Sequence, residues 1–220
     1  MDKKFNEFTS KDSLEVNLAK AVCSALEAVI DRKGSAVIAV SGGKTPLGLF
    51  KKLSIADIAW NKVKVVLVDE RLVATKDSDR NDLMVKQSLM VNKAKSATYI
   101  DLTAYKQHQD FFDSLTLDVA ILGMGLDGHT ASWFPCSDEI NGLFDMKSAV
   151  AIVNPVTAPH KRVTLTPAVL LKSNALFLHI VGQDKLSVYR EAVKNADSKL
   201  MPISFLLSQE YVDINTYWSP

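Results

Sequence analysis

The stretch ILGMGLDGHTASWFP, residues 121–135, places Asp127 and His129 on either side of Gly128. A neutral imidazole with the ordinary histidine pKa of ~6.5 can take a proton from water near pH 7. Asp127, next but one, could orient the imidazole or the water. The same stretch holds a literal G-x-G-x-x-G at Gly123, Gly125 and Gly128, so a dinucleotide-binding turn competes with the acid–base reading. That fingerprint needs a long helix opening on the third glycine and an acidic residue ending the next strand ~20 residues on. Pro135 restricts any helix starting near Gly128 to about two turns, and Asp145 precedes the next expected strand. The glycines are better used in a turn that presents Asp127 and His129.

Three further clusters suit an anion. In SGGKTP, the backbone N–H groups of Gly42 and Gly43 and the start of the next helix form an anion site, to which Ser41, Lys44 and Thr45 add donors. Only the Gly-Lys-Thr part of a P-loop is present, at the wrong spacing from an earlier glycine. Asp69-Glu70-Arg71 follows an apolar run. The three charges suit either a solvated corner with internal ion pairs or a ligand edge where Arg71 grips a phosphate bidentately. Arg162 in PHKRVTLT and Lys185 in VGQDK add cations near two other strand ends. No G-x-S-x-G elbow or reactive-cysteine context is visible. None of His108, His129, His160 and His179 is paired at i+3 or i+4 with another His or Cys, so a transition-metal site is not indicated.

The elements that position these groups follow from hydrophobic period. Residues 12–32 carry a helical stripe from Leu14 to Ile30, with Gly34 as its stop. Short apolar runs predict strands at 36–40, 63–68, 117–122, 148–153, 161–166 and 175–181, and an edge strand at 211–218. Helices are expected at 46–53, with Thr45 as N-cap and Pro46 first, and at 79–91, 103–113, 184–194 and 202–208. This alternation means α/β with a mostly parallel, doubly wound sheet, in one domain covering 1–220. In such a sheet ligands collect at the carboxyl ends of the strands, where all four polar clusters fall.

Bulk properties narrow the partners. Lysine and arginine number 26 against 25 acidic residues, a net charge of +1, so no global field points to nucleic acid or an anionic membrane. No segment approaches the ~20 apolar residues of a membrane span, and the N-terminus lacks a secretory apolar run, so a cytoplasmic protein is expected. Cys23 and Cys136 lie far apart and form no disulfide or metal framework. Cys23 sits on the helical stripe as a small core residue.

SGGKTP, VDER, GMGLDGHTASWFP, PHKRVTLTPAVL and GQDK, in that order, resemble the 6-phosphogluconolactonase family, within the larger group that includes glucosamine-6-phosphate deaminase. The resemblance runs from the first helix to the terminal Tyr-Trp. Deaminases of the group resemble DEY after the second strand and Asn-Glu-Pro after the DGH loop. Asp69-Glu70-Arg71 and Trp133-Phe134-Pro135 here favour the lactonase. Two departures stand out: Ala74 replaces a proline, and Arg80-Asn81 stands where the family has Ser-Asn.

The resemblance implies a NagB/RpiA-like fold, no metal or cofactor, and hydrolysis of 6-phospho-D-glucono-1,5-lactone in the oxidative pentose phosphate pathway. The partner would be a small sugar-phosphate lactone, with functional coupling to glucose-6-phosphate dehydrogenase. His129 would activate water, Asp127 would orient it or the imidazole, and Arg162 would counter charge developing on the carbonyl oxygen. Gly43, Lys44, Thr45, Arg71 and Lys185 would hold the phosphate, within a wider binding set that includes Ser41, Gly42, Asp69 and Glu70. Two other readings remain at this point: a deaminase or isomerase acting on an amino-sugar phosphate, and a non-catalytic sugar-phosphate sensor, which would not need His129.

Overall fold

A computed structural model describes residues 4–220. The strands are β1 (Lys4–Glu7), β2 (Ala36–Val40), β3 (Val63–Leu67), β4 (Asp69–Arg71), β5 (Thr98–Ile100), β6 (Val119–Leu122), β7 (Val150–Val153), β8 (Arg162–Leu165), β9 (Ala175–Val181) and β10 (Ile214–Ser219). Seven of them make one parallel sheet in the order β1-β10-β9-β6-β2-β3-β5. From β2 the chain proceeds to β3 and β5 on one side, whereas β6, β9 and β10 lie on the other. The order therefore reverses between β2 and β6, which opens a crevice at their carboxyl ends. The two loops leaving those ends are Ser41–Thr45 and Gly123–His129.

The central strands are apolar because both faces are covered. All of β6 is buried, as are Leu176 to Ile180 of β9. Helix α1 (Lys11–Lys33) buries Leu14, Leu18, Val22 and Leu26 at i, i+4 spacing. The Ser10 hydroxyl caps its start by accepting from the Ser13 N–H at 3.2 Å, and Gly34 ends it. The other helices are α2 (Leu47–Ser54), α3 (Asn81–Ser88), α4 (Gln109–Asp113), α5 (Ile140–Leu143), α6 (Pro167–Leu170), α7 (Gln183–Asn195) and α8 (Ile203–Ser208). Cys23 is half-buried against the core. Among the described residues no helix is long and apolar enough to cross a membrane.

Several expectations are corrected. The residues expected at 148–153 and 161–166 do form strands, but they join β4 in a separate antiparallel sheet, β4-β8-β7. Asp69–Arg71 is thus a strand of this second sheet rather than the tail of β3, because the chain turns after Leu67 and pairs Glu70 with Val163. The last strand is interior, because β1 adds outside it. Thr45 is not a helix cap: α2 begins at Leu47, its first bond runs from the Phe50 N–H to the Pro46 carbonyl at 2.8 Å, and no side chain caps it. The helix expected at 103–113 is broken into a 3-10 turn, Leu102–Ala104, and the short α4.

One buried carboxylate ties the amino ends of this architecture together. Asp118, 0% exposed, accepts from Lys33 Nζ at 2.5 Å, the Val37 N–H at 2.8 Å and Asn174 Nδ2 at 2.9 Å. It links α1, β2, β6 and the approach to β9. Asp118→Ala would leave these donors without their acceptor, and the expected loss is about 2–4 kcal/mol of folding stability. Chemical denaturation checks this, and an unchanged midpoint would contradict the role.

Candidate active site

The strand-end loops enclose a cavity of about 380 Å³. It is lined by Ser41, Gly42, Gly43, Lys44 and Thr45 from the loop after β2, and by Asp69 and Arg71 from β4. Gly123, Gly125 and His129 line it from the loop after β6, with Arg162 from β8 and Lys185 from α7. Asp127 does not line it but stands behind His129. The four clusters that are dispersed in sequence therefore meet, with Glu70 and Asp127 the expected site residues that do not line the cavity.

The Asp127–His129 pair is set by the turn that carries it. Gly125 N–H donates to the His129 carbonyl at 2.8 Å, and Gly128 N–H to the Gly125 carbonyl at 3.2 Å. His129 Nδ1 then lies 2.5 Å from Asp127 Oδ1, leaving Nε2 as the unbonded ring nitrogen. A Cβ at residue 125 would overlap both His129 Nδ1 and Asp127 Oδ1, so only glycine admits this packing. Phe134 backs the imidazole, with ring centroids 4.4 Å apart. Partial burial pushes the Asp127 carboxyl up, but the hydrogen bonds from His129 and its charge outweigh that and hold it below the ordinary carboxylate value. After Gly128 comes a Thr130–Trp133 bridge instead of a helix. The G-x-G-x-x-G therefore lacks the helix N-terminus that a dinucleotide pyrophosphate requires.

Part of the cavity lining is cationic. Antiparallel pairing sets Arg71 of β4 directly across from Arg162 of β8. Arg162, 5% exposed, donates from Nη2 to the Pro159 carbonyl at 3.0 Å and from Nε to the His160 carbonyl at 3.4 Å. Its burial, together with the charge of Arg71, lowers its pKa from the ordinary guanidinium value. Arg71 Nη1 donates to the Asp79 carbonyl, and Arg71 Nε is buried without a hydrogen-bond partner among the described residues. Like charges directly opposite in a sheet are unfavourable until an anion arrives. Lys185 Nζ reaches the Met124 carbonyl at 2.6 Å, and burial lowers its pKa. In the loop after β2, Gly43 at φ +87° makes a turn that side chains rarely adopt, and Lys44 stands exposed beside it.

Three residues expected to bind ligand, Glu70, Ser41 and Asp69, have structural partners. Glu70 is 0% exposed and accepts from the N–H groups of Arg71 at 2.7 Å, Asn81 at 2.9 Å and Asp82 at 2.8 Å. It caps the start of α3 and does not line the cavity. Ser41 lines the cavity, but its hydroxyl donates to the Ile121 carbonyl at 3.0 Å and accepts from the Gly123 N–H at 3.1 Å, stitching the ends of β2 and β6. Asp69 is buried, with Oδ2 accepting from the Ser132 hydroxyl at 2.6 Å. The departure at Arg80-Asn81 has a structural account. Arg80 is buried on Asp82, with Nε–Oδ1 at 2.8 Å, and on Asp101, whereas Asn81 lines the cavity and donates to the Asp69 carbonyl at 3.3 Å. Thr130, Phe134 and His179 also line it without having been expected. His179 is signalled only as a polar residue inside the apolar run ALFLHIV. Among the described residues no three His, Cys, Asp or Glu side chains are grouped as metal ligands.

The family model for glucosamine-6-phosphate isomerases/6-phosphogluconolactonase matches residues 9–218. The 6-phosphogluconolactonase of Neisseria meningitidis is 36% identical, with 98% of each chain covered, and that of Mesorhizobium japonicum 37%, with 98% and 95% covered. The crystal structure of a 6-phosphogluconolactonase from Shewanella baltica superposes with a TM-score of 0.96 at 37% identity, covering 100% of this chain and 98% of that one. The chain belongs to the glucosamine-6-phosphate isomerase/6-phosphogluconolactonase family.

Proposed function

We propose that this protein hydrolyses 6-phospho-D-glucono-1,5-lactone to 6-phosphogluconate, the second step of the oxidative pentose phosphate pathway. The full-length likeness to relatives named 6-phosphogluconolactonase supports it. The observation that carries it is an Asp-backed imidazole sharing one cavity with several cationic side chains. In this reading residues 1–220 act as one catalytic domain in the cytoplasm, on lactone supplied by glucose-6-phosphate dehydrogenase.

A δ-lactone is an ester, so its hydrolysis needs a base for water, a stabilised oxyanion and a fixed substrate. With its proton on Nδ1 toward Asp127, His129 presents the Nε2 lone pair to a water. The water oxygen adds to the lactone carbonyl carbon while its proton passes to Nε2, and Asp127 stabilises the imidazolium. Arg162 meets the negative charge that develops on the carbonyl oxygen. Collapse of the tetrahedral intermediate breaks the ring C–O bond, and the imidazolium returns its proton to the leaving hydroxyl. No covalent nucleophile is required. Arg71, Lys185 and the Gly43–Thr45 turn anchor the 6-phosphate, with Arg71 Nε as a ready donor.

The decisive assay follows lactone disappearance after its generation by a glucose-6-phosphate dehydrogenase, with and without this protein. His129→Ala should lose ~10²–10⁴-fold in kcat with the fold intact. EDTA-treated protein should keep full activity after background subtraction. Near-normal turnover without His129, or activity lost to chelator and restored by zinc or calcium, would contradict the mechanism.

A second prediction separates anchoring from chemistry. The parent enzyme should prefer the phosphorylated lactone over plain gluconolactone. Arg71→Ala should erase roughly 10–100-fold of that preference, the scale of lost charged hydrogen bonds, while barely changing the rate on the unphosphorylated lactone. Equal losses on both lactones would show that Arg71 serves the fold or the reacting centre instead.

A further inference from the structure

His179 is the only polar side chain in β9, and the mechanism above does not use it. It is 2% exposed, and neither ring nitrogen has a hydrogen-bond partner among the described residues. His179 is nevertheless among the residues that line the cavity. The pairing Leu122↔Leu178 brings Gly123 beside His179 at the next position, and a Cβ at residue 123 would meet nothing within 4 Å. Space is therefore open beside His179 at Gly123, which also lines the cavity. On its other side the register partner is Tyr217, whose ring packs on Phe8 and Phe177 at 5.6 and 6.0 Å between centroids.

Burial, reinforced by the charges of Lys11 and Lys185, pushes the His179 imidazole down to about 4, so it is neutral at pH 7. A neutral imidazole offers one N–H donor and one lone pair. Leaving both buried without partners costs free energy that an apolar residue in this strand would avoid. A phosphate, with acceptor oxygens, matches mainly the N–H. A sugar hydroxyl, donor and acceptor at once, matches either nitrogen, and the anionic parts of the ligand already have Lys44, Arg71, Arg162 and Lys185. We propose that His179 binds a ring hydroxyl of the sugar lactone in the cavity and so makes the site specific for a polyhydroxylated ring. This rests on the lactonase reading.

The test uses His179→Leu, with His179→Met in parallel so that a packing defect in one variant does not decide the outcome. His179→Gln restores a donor and an acceptor. Measured quantities are kcat and KM on the enzymatically generated lactone, the Kd of 6-phosphogluconate and of inorganic phosphate by calorimetry, and Tm. The apolar variants should raise KM and the Kd of 6-phosphogluconate about tenfold, with kcat within about twofold of the parent, as expected for loss of one uniformly used hydrogen bond. Their affinity for inorganic phosphate should be unchanged, their Tm equal or higher, and Gln should recover much of the lost affinity. Folded apolar variants with parental KM and Kd would overturn the proposal. So would an equal loss of inorganic phosphate affinity, which would make His179 a phosphate ligand. Should the parent protein leave the spontaneous rate of lactone hydrolysis unchanged, the lactonase reading fails. Weakened 6-phosphogluconate binding by the apolar variants would still support the hydroxyl contact.

Discussion

The 2.5 Å hydrogen bond between Asp127 and His129 is the contact around which this site is built. It holds the imidazole in one orientation, and much of the surrounding backbone exists to permit it. The turn must lack a side chain at Gly125, and it must be held firmly at its far end. That anchoring comes from α8, whose first residue, Ile203, donates its N–H to the Gly128 carbonyl at 2.9 Å. The Thr130 hydroxyl closes the loop onto the Gly123 carbonyl at 2.8 Å. The imidazole thus sits on a framework continuous with the central sheet, which is the condition for a positioned group to act without reorganising.

The cationic lining imposes a different cost. Setting Arg71 opposite Arg162 is unfavourable in the free protein, and the small antiparallel sheet is what forces them together. Asp69, Glu70 and Asp79 offset part of the repulsion felt by Arg162. Glu70 contributes through the backbone too, since its carboxylate fixes the start of α3 and thereby brings Asn81 to the cavity. Carboxylates beside and behind the cavity thus help to set the geometry of its cations.

Much of this was legible in the chain because apolar runs ending in polar clusters mark the strand ends of a covered parallel sheet. Strand β9 was expected at 175–181 and is found at Ala175–Val181. What escaped was whatever lacked a local signal. Strand β1, KFNE, is mostly exposed and owes its existence to pairing with β10 more than 200 residues away. The second sheet is invisible because antiparallel and parallel strands share the same alternation when buried. Glu70 and Arg71 are adjacent charges in the sequence, yet one is sealed under α3 and the other reaches the cavity. Only tertiary packing separates such neighbours. His179 differs again, since a lone histidine in an apolar strand is a signal whose meaning depends on what stands beside it.

The central claim is that Asp127 fixes the imidazole so that Nε2 is the basic nitrogen. Long-range proton–nitrogen correlation spectra of the histidine side chains, recorded on the neutral form and assigned with His129→Ala, read that tautomer directly. The expected spectrum has the His129 proton on Nδ1 and an unprotonated Nε2. A His129 ring protonated on Nε2 would have no lone pair to offer water from that face, and would contradict the account.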